Sequence, residues 1–264
     1  MKKQLGDLET QFFAYVQMRK LSIVRSGDLT SSLLGLTSDQ ERKLLSRLSR
    51  GGLIARVRPG LYLVPPQLPL GGEWTPSEAQ ALNALMKDRD GRYQICGPNA
   101  FNRYGFDDQI PNRIYVYNNR ISGKRTIGSV VLMLIKVADE RLGATEVAAL
   151  ADEKVFYSSR VRTLVDAIYD WSRFNSLPRG YEWIRRELKA KRTDVLDLVK
   201  VALRYGDAGT IRRMGVLFED VGIDYSLLRK MARALNPTSS LIPWIPDRPK
   251  RGTVNRRWGV VINE

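Results

Sequence analysis

The segment from Thr37 to Val64 decides the fold of the N-terminal part, and it reads TSDQERKLLSRLSRGGLIARVRPGLYLV. Its first five residues are of the cap-forming and acidic types that are common at the start of a helix. Leu44, Leu45 and Leu48 then recur at helical spacing and predict one buried face. Gly51-Gly52 ends the helix.

A hairpin is predicted directly after this helix. Two short apolar stretches, 53–57 and 61–64, are joined across a turn of the Pro-Gly type. Upstream, the apolar periodicity predicts a first helix over residues 8–20, and Asp28–Leu34 is expected to form a short second helix that ends at Gly35. Three helices followed by a hairpin is the order of a winged helix-turn-helix, in which the third helix enters the major groove and the wing lies on a flanking groove or on phosphates.

The third helix and the hairpin supply the candidate DNA-binding residues, whose side chains are polar or basic and lie on the side opposite the leucines. Two alternatives stay open, since winged helices also serve as protein-docking modules and a charged helix face can simply be solvated. The candidates are Ser38, Arg42, Lys43, Ser46, Arg47, Arg50, Arg56 and Arg58.

The formal charge of +15 is distributed unevenly along the 264 residues. Residues 1–66 have an excess of six positive charges, residues 67–172 have none, and residues 173–264 have an excess of nine. Two basic regions around a neutral one indicate two separate contacts with polyanions. The second basic surface is expected to involve Arg185, Arg186, Lys189, Arg212, Arg213, Lys250, Arg251, Arg256 and Arg257.

The remainder of the chain predicts a second domain of mixed secondary structure. Residues 65–73 are rich in Pro and Gly and are expected to link a domain over 1–66 to one over 74–264. Its first part, about 74–158, includes two stretches, Ile114–Tyr117 and Val130–Val137, that we expect to pair as antiparallel strands around a polar, basic turn region.

From about residue 159 to the C-terminus the pattern is helical and ends in a basic tail. One long helix is expected from Ser159 through Trp171, and four more follow at about 180–190, 193–205, 208–220 and 225–235. The predicted fold class is therefore α+β, an N-terminal winged helix-turn-helix followed by a mixed α/β domain with a helical C-terminal part.

Several segments together resemble the AbiEi antitoxins, transcriptional regulators of toxin–antitoxin pairs that act in abortive infection and antiviral defence. The resemblance rests on residues 44–62, on Ile95-Cys96-Gly97-Pro98-Asn99-Ala100-Phe101, on Pro111-Asn112-Arg113-Ile114-Tyr115-Val116 and on residues 160–166. It extends over most of the chain, and its motifs are structural, not catalytic.

The resemblance implies two activities. The protein would repress its own operon by binding double-stranded DNA at inverted repeats upstream of it, and it would neutralise a nucleotidyltransferase toxin encoded beside it, directly or indirectly. A regulator of transcription without an antitoxin role is the alternative. We expect a monomer in solution.

The composition argues against most catalytic chemistry. The chain contains no histidine and one cysteine, Cys96, so imidazole-dependent triads and multi-cysteine metal sites are excluded. A metal-dependent nuclease is the best enzyme alternative, because Asp152-Glu153-Lys154 and Glu187-Leu188-Lys189 match an acid-x-lysine spacing, but such triplets arise by chance. We expect no catalytic residues, no metal and no cofactor.

The sequence also predicts a cytoplasmic protein. No stretch approaches the length of a membrane-spanning helix, since the most apolar run, Val130–Ile135, is short. The N-terminus has acids where a signal peptide would have an apolar core.

Overall fold

A computed structural model describes residues 5–31, 35–68, 73–150 and 153–263. The helices are α1 (Asp7–Met18), α2 (Ser38–Arg50), α3 (Glu78–Asp88), α4 (Gly97–Arg103), α5 (Arg160–Tyr169), α6 (Trp171–Phe174), α7 (Arg179–Lys189), α8 (Val195–Tyr205), α9 (Ala208–Asp220) and α10 (Tyr225–Arg233). The strands are β1 (Ile23–Arg25), β2 (Ala55–Arg58), β3 (Leu61–Leu63), β4 (Tyr93–Ile95), β5 (Ile114–Asn118), β6 (Gly123–Ile127), β7 (Val130–Lys136), β8 (Thr145–Leu150), β9 (Glu153–Ser158), β10 (Ile242–Pro243), β11 (Thr253–Asn255) and β12 (Val260–Ile262). Most strands lie within residues 23–158, whereas residues 160–233 are helical. This separation of strand-rich and helix-rich stretches is consistent with the α+β class.

The chain divides into two compact units. Unit 1 comprises Met1–Tyr93, Asn112–Asp139 and Val147–Val155, and unit 2 comprises Gln94–Pro111, Glu140–Glu146 and Phe156–Glu264. Unit 1 therefore contains the first 66 residues together with α3. The independent folding of residues 1–66 stays a prediction.

The N-terminal part of unit 1 is built on the predicted leucine stripe. Leu44, Leu45 and Leu48 of α2 are buried, and they pack in one core with Phe12 and Phe13 of α1. A three-stranded antiparallel sheet in the order β1-β3-β2 covers this core, and the chain turns between β2 and β3 at Gly60, where φ is +77°. Such a φ favours glycine, which is why the Pro-Gly turn fits here.

The predicted second helix is not a helix where the structure describes it. Residues 26–31 form turns, while residues 32–34 of the prediction lie outside the described residues. The hydroxyl groups of Thr30 and Ser31 donate to the carbonyl oxygen of Gly27 at 2.9 and 3.1 Å. Bonds of this local kind compete with helix formation.

The expected antiparallel pairing of the two apolar strands is wrong. β5 and β7 are parallel, with Ile114 opposite Leu132, because the intervening segment contains a further strand, β6, antiparallel to β7. The sequence had suggested only a turn region there. Four of the five β6 residues are exposed and two of these are basic, as is common for an edge strand. The strand order of the six-stranded sheet is β6-β7-β5-β4-β9-β8.

Unit 2 contains the helical part and the tail. The long helix predicted over 159–171 is divided, since α5 ends at Tyr169 and α6 starts at Trp171. The other predicted helices correspond to α7, α8, α9 and α10 within a few residues. The tail forms a small sheet in the order β10-β12-β11 and packs through Trp258, which is 1 % exposed, against Gly215 of α9.

Candidate nucleic-acid interface

α2 presents a polar side that its own sequence and caps define. The Thr37 hydroxyl accepts a hydrogen bond from the backbone N–H of Gln40 at 3.3 Å, and the Gln40 side chain accepts one from the N–H of Thr37 at 2.9 Å. This capping box satisfies two N–H groups that the helix cannot pair itself. Because the leucine stripe is anchored in the core, the opposite side of α2 faces solvent.

The six candidates on α2 lie on this outer side. Ser46 is half-buried, and the other five are exposed. We define the α2 face as these six residues: Ser38, Arg42, Lys43, Ser46, Arg47 and Arg50.

The cations of the α2 face differ in how they are held. Arg42 donates to Asp39 at 2.9 Å, but both side chains are about three-quarters exposed, so this pair contributes little. Arg47 is tethered more firmly to Glu9 of α1, at 2.8 Å. Lys43 and Arg50 have no carboxylate partner among the described residues, so their charges are available to a ligand.

The two arginines of the β2–β3 hairpin have different surroundings. Arg56 is exposed. The guanidinium of Arg58 instead donates to both carboxylate oxygens of Asp88, on α3, at 2.7 Å. Such fork-to-fork pairing is geometrically specific. Arg58 is therefore held by an ion pair inside unit 1. The exposed Arg56 is the hairpin arginine that is accessible to a phosphate group.

The hydrogen bonds from Arg58 also hold the pKa of Asp88 below its ordinary value, since they stabilise the ionised carboxylate. The charges of Arg58, Arg89 and Arg25 act in the same direction, while burial acts against them. Asp88 is thus an ionised carboxylate that is held by an arginine of the hairpin.

Glu41 is a positioning residue that the sequence did not single out. Its side chain is buried, and its carboxylate accepts the backbone N–H of Gly27 at 3.0 Å and that of Leu29 at 3.3 Å. It thereby fixes the 26–31 turn to α2. In a sequence, an acid in the first turn of a helix is ordinarily explained by its interaction with the helix dipole. Only the hydrogen bonds from Gly27 and Leu29 reveal that Glu41 holds the turn.

β6 adds two basic residues that the sequence had placed in a turn. Lys124 and Arg125 are exposed. The strand leads into Gly128, at which a Cβ atom would lie 3.6 Å from that of Ala55 in β2. β6 itself also contacts β2, so these two cations lie on a strand next to the hairpin.

Two members of the predicted second basic surface are not on the surface. Arg212 and Arg213 of α9 are 6 % and 8 % exposed. Arg212 donates to the carbonyl oxygens of Trp258 at 2.5 Å, of Ser240 at 2.6 Å and of Gly259. Arg213 donates to the carbonyl of Pro243 at 3.3 Å. Burial lowers the pKa of both side chains. These hydrogen bonds connect α9 to the tail, whose Gly259 carbonyl also accepts the backbone N–H of Ile242 at 3.0 Å.

The remaining seven residues are distributed over α7 and the tail. Arg185 pairs with Glu182 and Asp220 at 2.6 and 2.9 Å, and Arg257 pairs with Glu219 at 2.9 Å. Two more cations donate to backbone carbonyl groups, Arg186 to Gly105 and Lys250 to Leu241. The exposed cations for which the described part of the chain offers no such partner are Lys189, Arg251 and Arg256.

The acid of the second acid-x-lysine triplet is engaged by arginine side chains. Glu187 is 1 % exposed, and its two carboxylate oxygens pair with Arg160 at 2.8 Å and with Arg192 at 2.9 Å. The two arginines thus neutralise the Glu187 carboxylate, which a metal ion would otherwise need as a ligand. Asp152 lies outside the described residues.

The described residues contain no group of three Asp, Glu or Cys side chains placed to hold a metal ion. None of their helices has the length and apolarity that crossing a membrane requires.

Comparison with known proteins adds evidence on the fold alone. No family model matches the chain, and no curated protein matches it. Among solved structures, it is similar to the crystal structure of the RV2827C protein from Mycobacterium tuberculosis, with a TM-score of 0.61 and 14 % sequence identity. The match covers 98 % of this chain and 92 % of that one, so the two share an architecture over nearly their whole length.

Proposed function

We propose that the protein binds double-stranded DNA through a variant winged helix-turn-helix formed by α1, the 26–31 turns, α2 and β1–β3, in which those turns replace the start of the predicted second helix. In this proposal α2 enters the major groove and the β2–β3 hairpin is the wing. The observation that carries it is the α2 face, on which exposed cations lie opposite a fully buried leucine stripe.

The dimensions and chemistry of α2 suit this role. Its 13 residues span about 20 Å at 1.5 Å per residue, and a major groove about 12 Å wide admits an α-helix. Arg and Lys side chains read guanine through its O6 and N7 atoms. Lys43 and Arg50 meet this need without first breaking an ion pair.

The wing contributes phosphate contacts in this proposal, and Arg56 is the residue for them. Arg58 would have to leave the Asp88 carboxylate before it reached DNA. We therefore assign Arg58 to orienting the hairpin and Arg56, with Lys124 and Arg125 of β6, to the backbone.

We further propose that the DNA is the upstream region of the protein's own operon and that the protein neutralises a nucleotidyltransferase toxin encoded there. The support is the resemblance to AbiEi antitoxins at residues 44–62, 95–101, 111–116 and 160–166. Those residues occupy α2 to β3, β4–α4, the start of β5 and α5. The proposal includes no catalytic step.

DNA binding is tested with the full chain and a fragment upstream of its gene, in gel shifts at two salt concentrations. Replacing Arg42, Lys43 and Arg47 by Ala is expected to reduce discrimination between this fragment and unrelated DNA. Replacing Arg56 by Ala is expected to weaken binding to both equally and to lower the salt dependence by about one charge. Full affinity and selectivity in the triple variant would overturn the assignment of α2.

Antitoxin activity is tested separately, by co-expression of the full chain with the neighbouring gene and a promoter reporter. Wild type should restore growth and repress the reporter. The variant with Ala at Arg42, Lys43 and Arg47 should still restore growth, but it should no longer repress the reporter. A neighbouring gene without toxicity would remove the antitoxin role and leave a DNA-binding regulator.

A further inference from the structure

α10 exposes a basic and aromatic side that the predicted surfaces did not include. Leu228 and Met231 are buried and fix the inner side of the helix. The outer side lines a shallow open groove, which we call the α10 groove. It is lined by Tyr225, Ser226, Arg229, Lys230 and Arg233.

The three cations of the α10 groove are not neutralised within the described residues. Neighbouring acids are engaged elsewhere: Asp224 accepts from the backbone N–H of Ser226 at 2.7 Å and caps the helix. Glu219 accepts from Arg257 and Asn255, each at 2.9 Å. The groove therefore presents an uncompensated positive charge to solvent.

Tyr225 gives the groove an exposed aromatic ring. The residue is 67 % exposed. The guanidinium carbon of Arg257 lies 5.0 Å from the centre of the ring, and Arg257 is itself anchored by its ion pair with Glu219. This contact supports the ring from one direction and leaves most of it open.

We propose that the α10 groove binds single-stranded nucleic acid, with an unpaired base stacked on Tyr225 and phosphates on Arg229, Lys230 and Arg233. Arg229 and Arg233 are separated by one helical turn, about 6 Å along the axis, so they can follow a backbone. A positive groove beside an exposed aromatic ring is the chemistry of single-strand binding. Duplex DNA offers no unpaired base, and an acidic protein would use the cations without the ring. The inference does not depend on the function proposed above.

Fluorescence anisotropy of the full chain tests this, with labelled oligo(dT) and oligo(U) strands of about 15 nucleotides and a duplex of equal length, at several salt concentrations. Tyr225→Ala should weaken single-strand binding about tenfold, and Tyr225→Phe should preserve it, because the ring does the stacking. Neither change should alter duplex binding.

The charge contribution needs a matched control. Replacing Arg229, Lys230 and Arg233 by Gln should reduce the slope of log affinity against log salt by about 2 for single strands. The control replaces three exposed lysines on separate elements by Gln, which changes the net charge equally and should leave the slope near that of wild type. These are Lys87 of α3, Lys136 of β7 and Lys154 of β9.

Three results would overturn the proposal. They are wild-type binding to neither strand at low salt, equal affinity of wild type and Tyr225→Ala for single strands, and an equal loss in the scattered control. A loss of duplex binding in the α10 variants that matches the single-strand loss would also overturn it, because the groove would then be a general phosphate surface. All variants change exposed side chains, so coincident thermal unfolding curves would exclude misfolding.

Discussion

Arginine has opposite roles in two helices of this protein. On α2, Arg42, Arg47 and Arg50 are exposed on the outer side of a helix whose leucines form the core. On α9, Arg212 and Arg213 are buried and donate to carbonyl groups of the C-terminal tail. The first set can meet a partner, whereas the second set is part of the internal hydrogen bonding of unit 2.

This difference shows that an excess of basic residues in the sequence is not the same as a basic surface. The excess in residues 173–264 includes cations that never face solvent, so it overstates the charge that a polyanion would meet there. Conversely, α10 and β6 expose cations that the sequence had not assigned to any site. The exposure of a basic side chain, not the number of such residues, distinguishes a binding role from a structural one. The following predictions test this distinction.

The largest effect on stability is expected for Arg212→Met. Its guanidinium donates to three carbonyl groups of the tail segment, one of them in a buried hydrogen bond, and methionine would remove that donor from all three. Hydrogen bonds to charged groups contribute about 1.5–3 kcal/mol, so the free energy of unfolding should fall by about 3 kcal/mol. Urea unfolding followed by tryptophan fluorescence measures this, because Trp244 and Trp258 are both buried with the tail. Arg229→Met on α10 is the exposed control and should change it by less than about 0.5 kcal/mol.

A smaller loss is expected for Glu41→Ala. The backbone N–H groups of Gly27 and Leu29 would lose the Glu41 carboxylate as an acceptor, and a loss of this kind costs about 1–3 kcal/mol. Glu41→Gln retains one acceptor oxygen and should lose less. Amide hydrogen exchange at residues 26–31 should accelerate more in Glu41→Ala than in Asp39→Ala, whose carboxylate is exposed. Equal exchange in both variants would mean that Glu41 does not hold the turn.

The pair between Arg58 and Asp88 predicts a pH-dependent contribution of still smaller size, because Arg58 is partly exposed. Since the pKa of Asp88 is lowered in the folded state, its contribution is complete above the unfolded pKa of about 3.9 and is lost as pH falls through the folded value. Wild type should therefore unfold at a higher temperature than Asp88→Asn at pH 7. The difference should shrink as pH falls below the unfolded pKa and disappear below the folded one, and a constant difference would contradict the pairing.

The sequence predicted the parts of the fold that depend on local patterns. The spacing of Leu44, Leu45 and Leu48 has one interpretation, a helix with one buried face, and it predicted α2. The Pro59-Gly60 turn predicted the hairpin. The parallel pairing of β5 with β7 could not be predicted, since it depends on β6, whose exposed basic residues read as a loop.

The site was predictable to a similar extent. The outer positions of α2 follow from the leucine stripe alone. The pairs of Arg58 with Asp88 and of Arg47 with Glu9 join residues 30 and 38 positions apart, and no periodicity within one element reveals them. The burial of Arg212 likewise depends on where a distant tail packs.

The central claim is that the arginines of α2 bind DNA and those of α9 hold the structure. It is tested most directly by measuring, for two variants of the full chain, both the unfolding temperature and the affinity for the upstream DNA fragment. Replacing Arg42, Lys43 and Arg50 by Gln should leave the unfolding temperature near that of wild type and reduce the salt slope of DNA binding by about 2 to 3. Arg212→Met should lower the unfolding temperature and, below it, keep the wild-type salt slope. Wild-type DNA affinity in the α2 variant, or loss of DNA binding by folded Arg212→Met, would contradict the account.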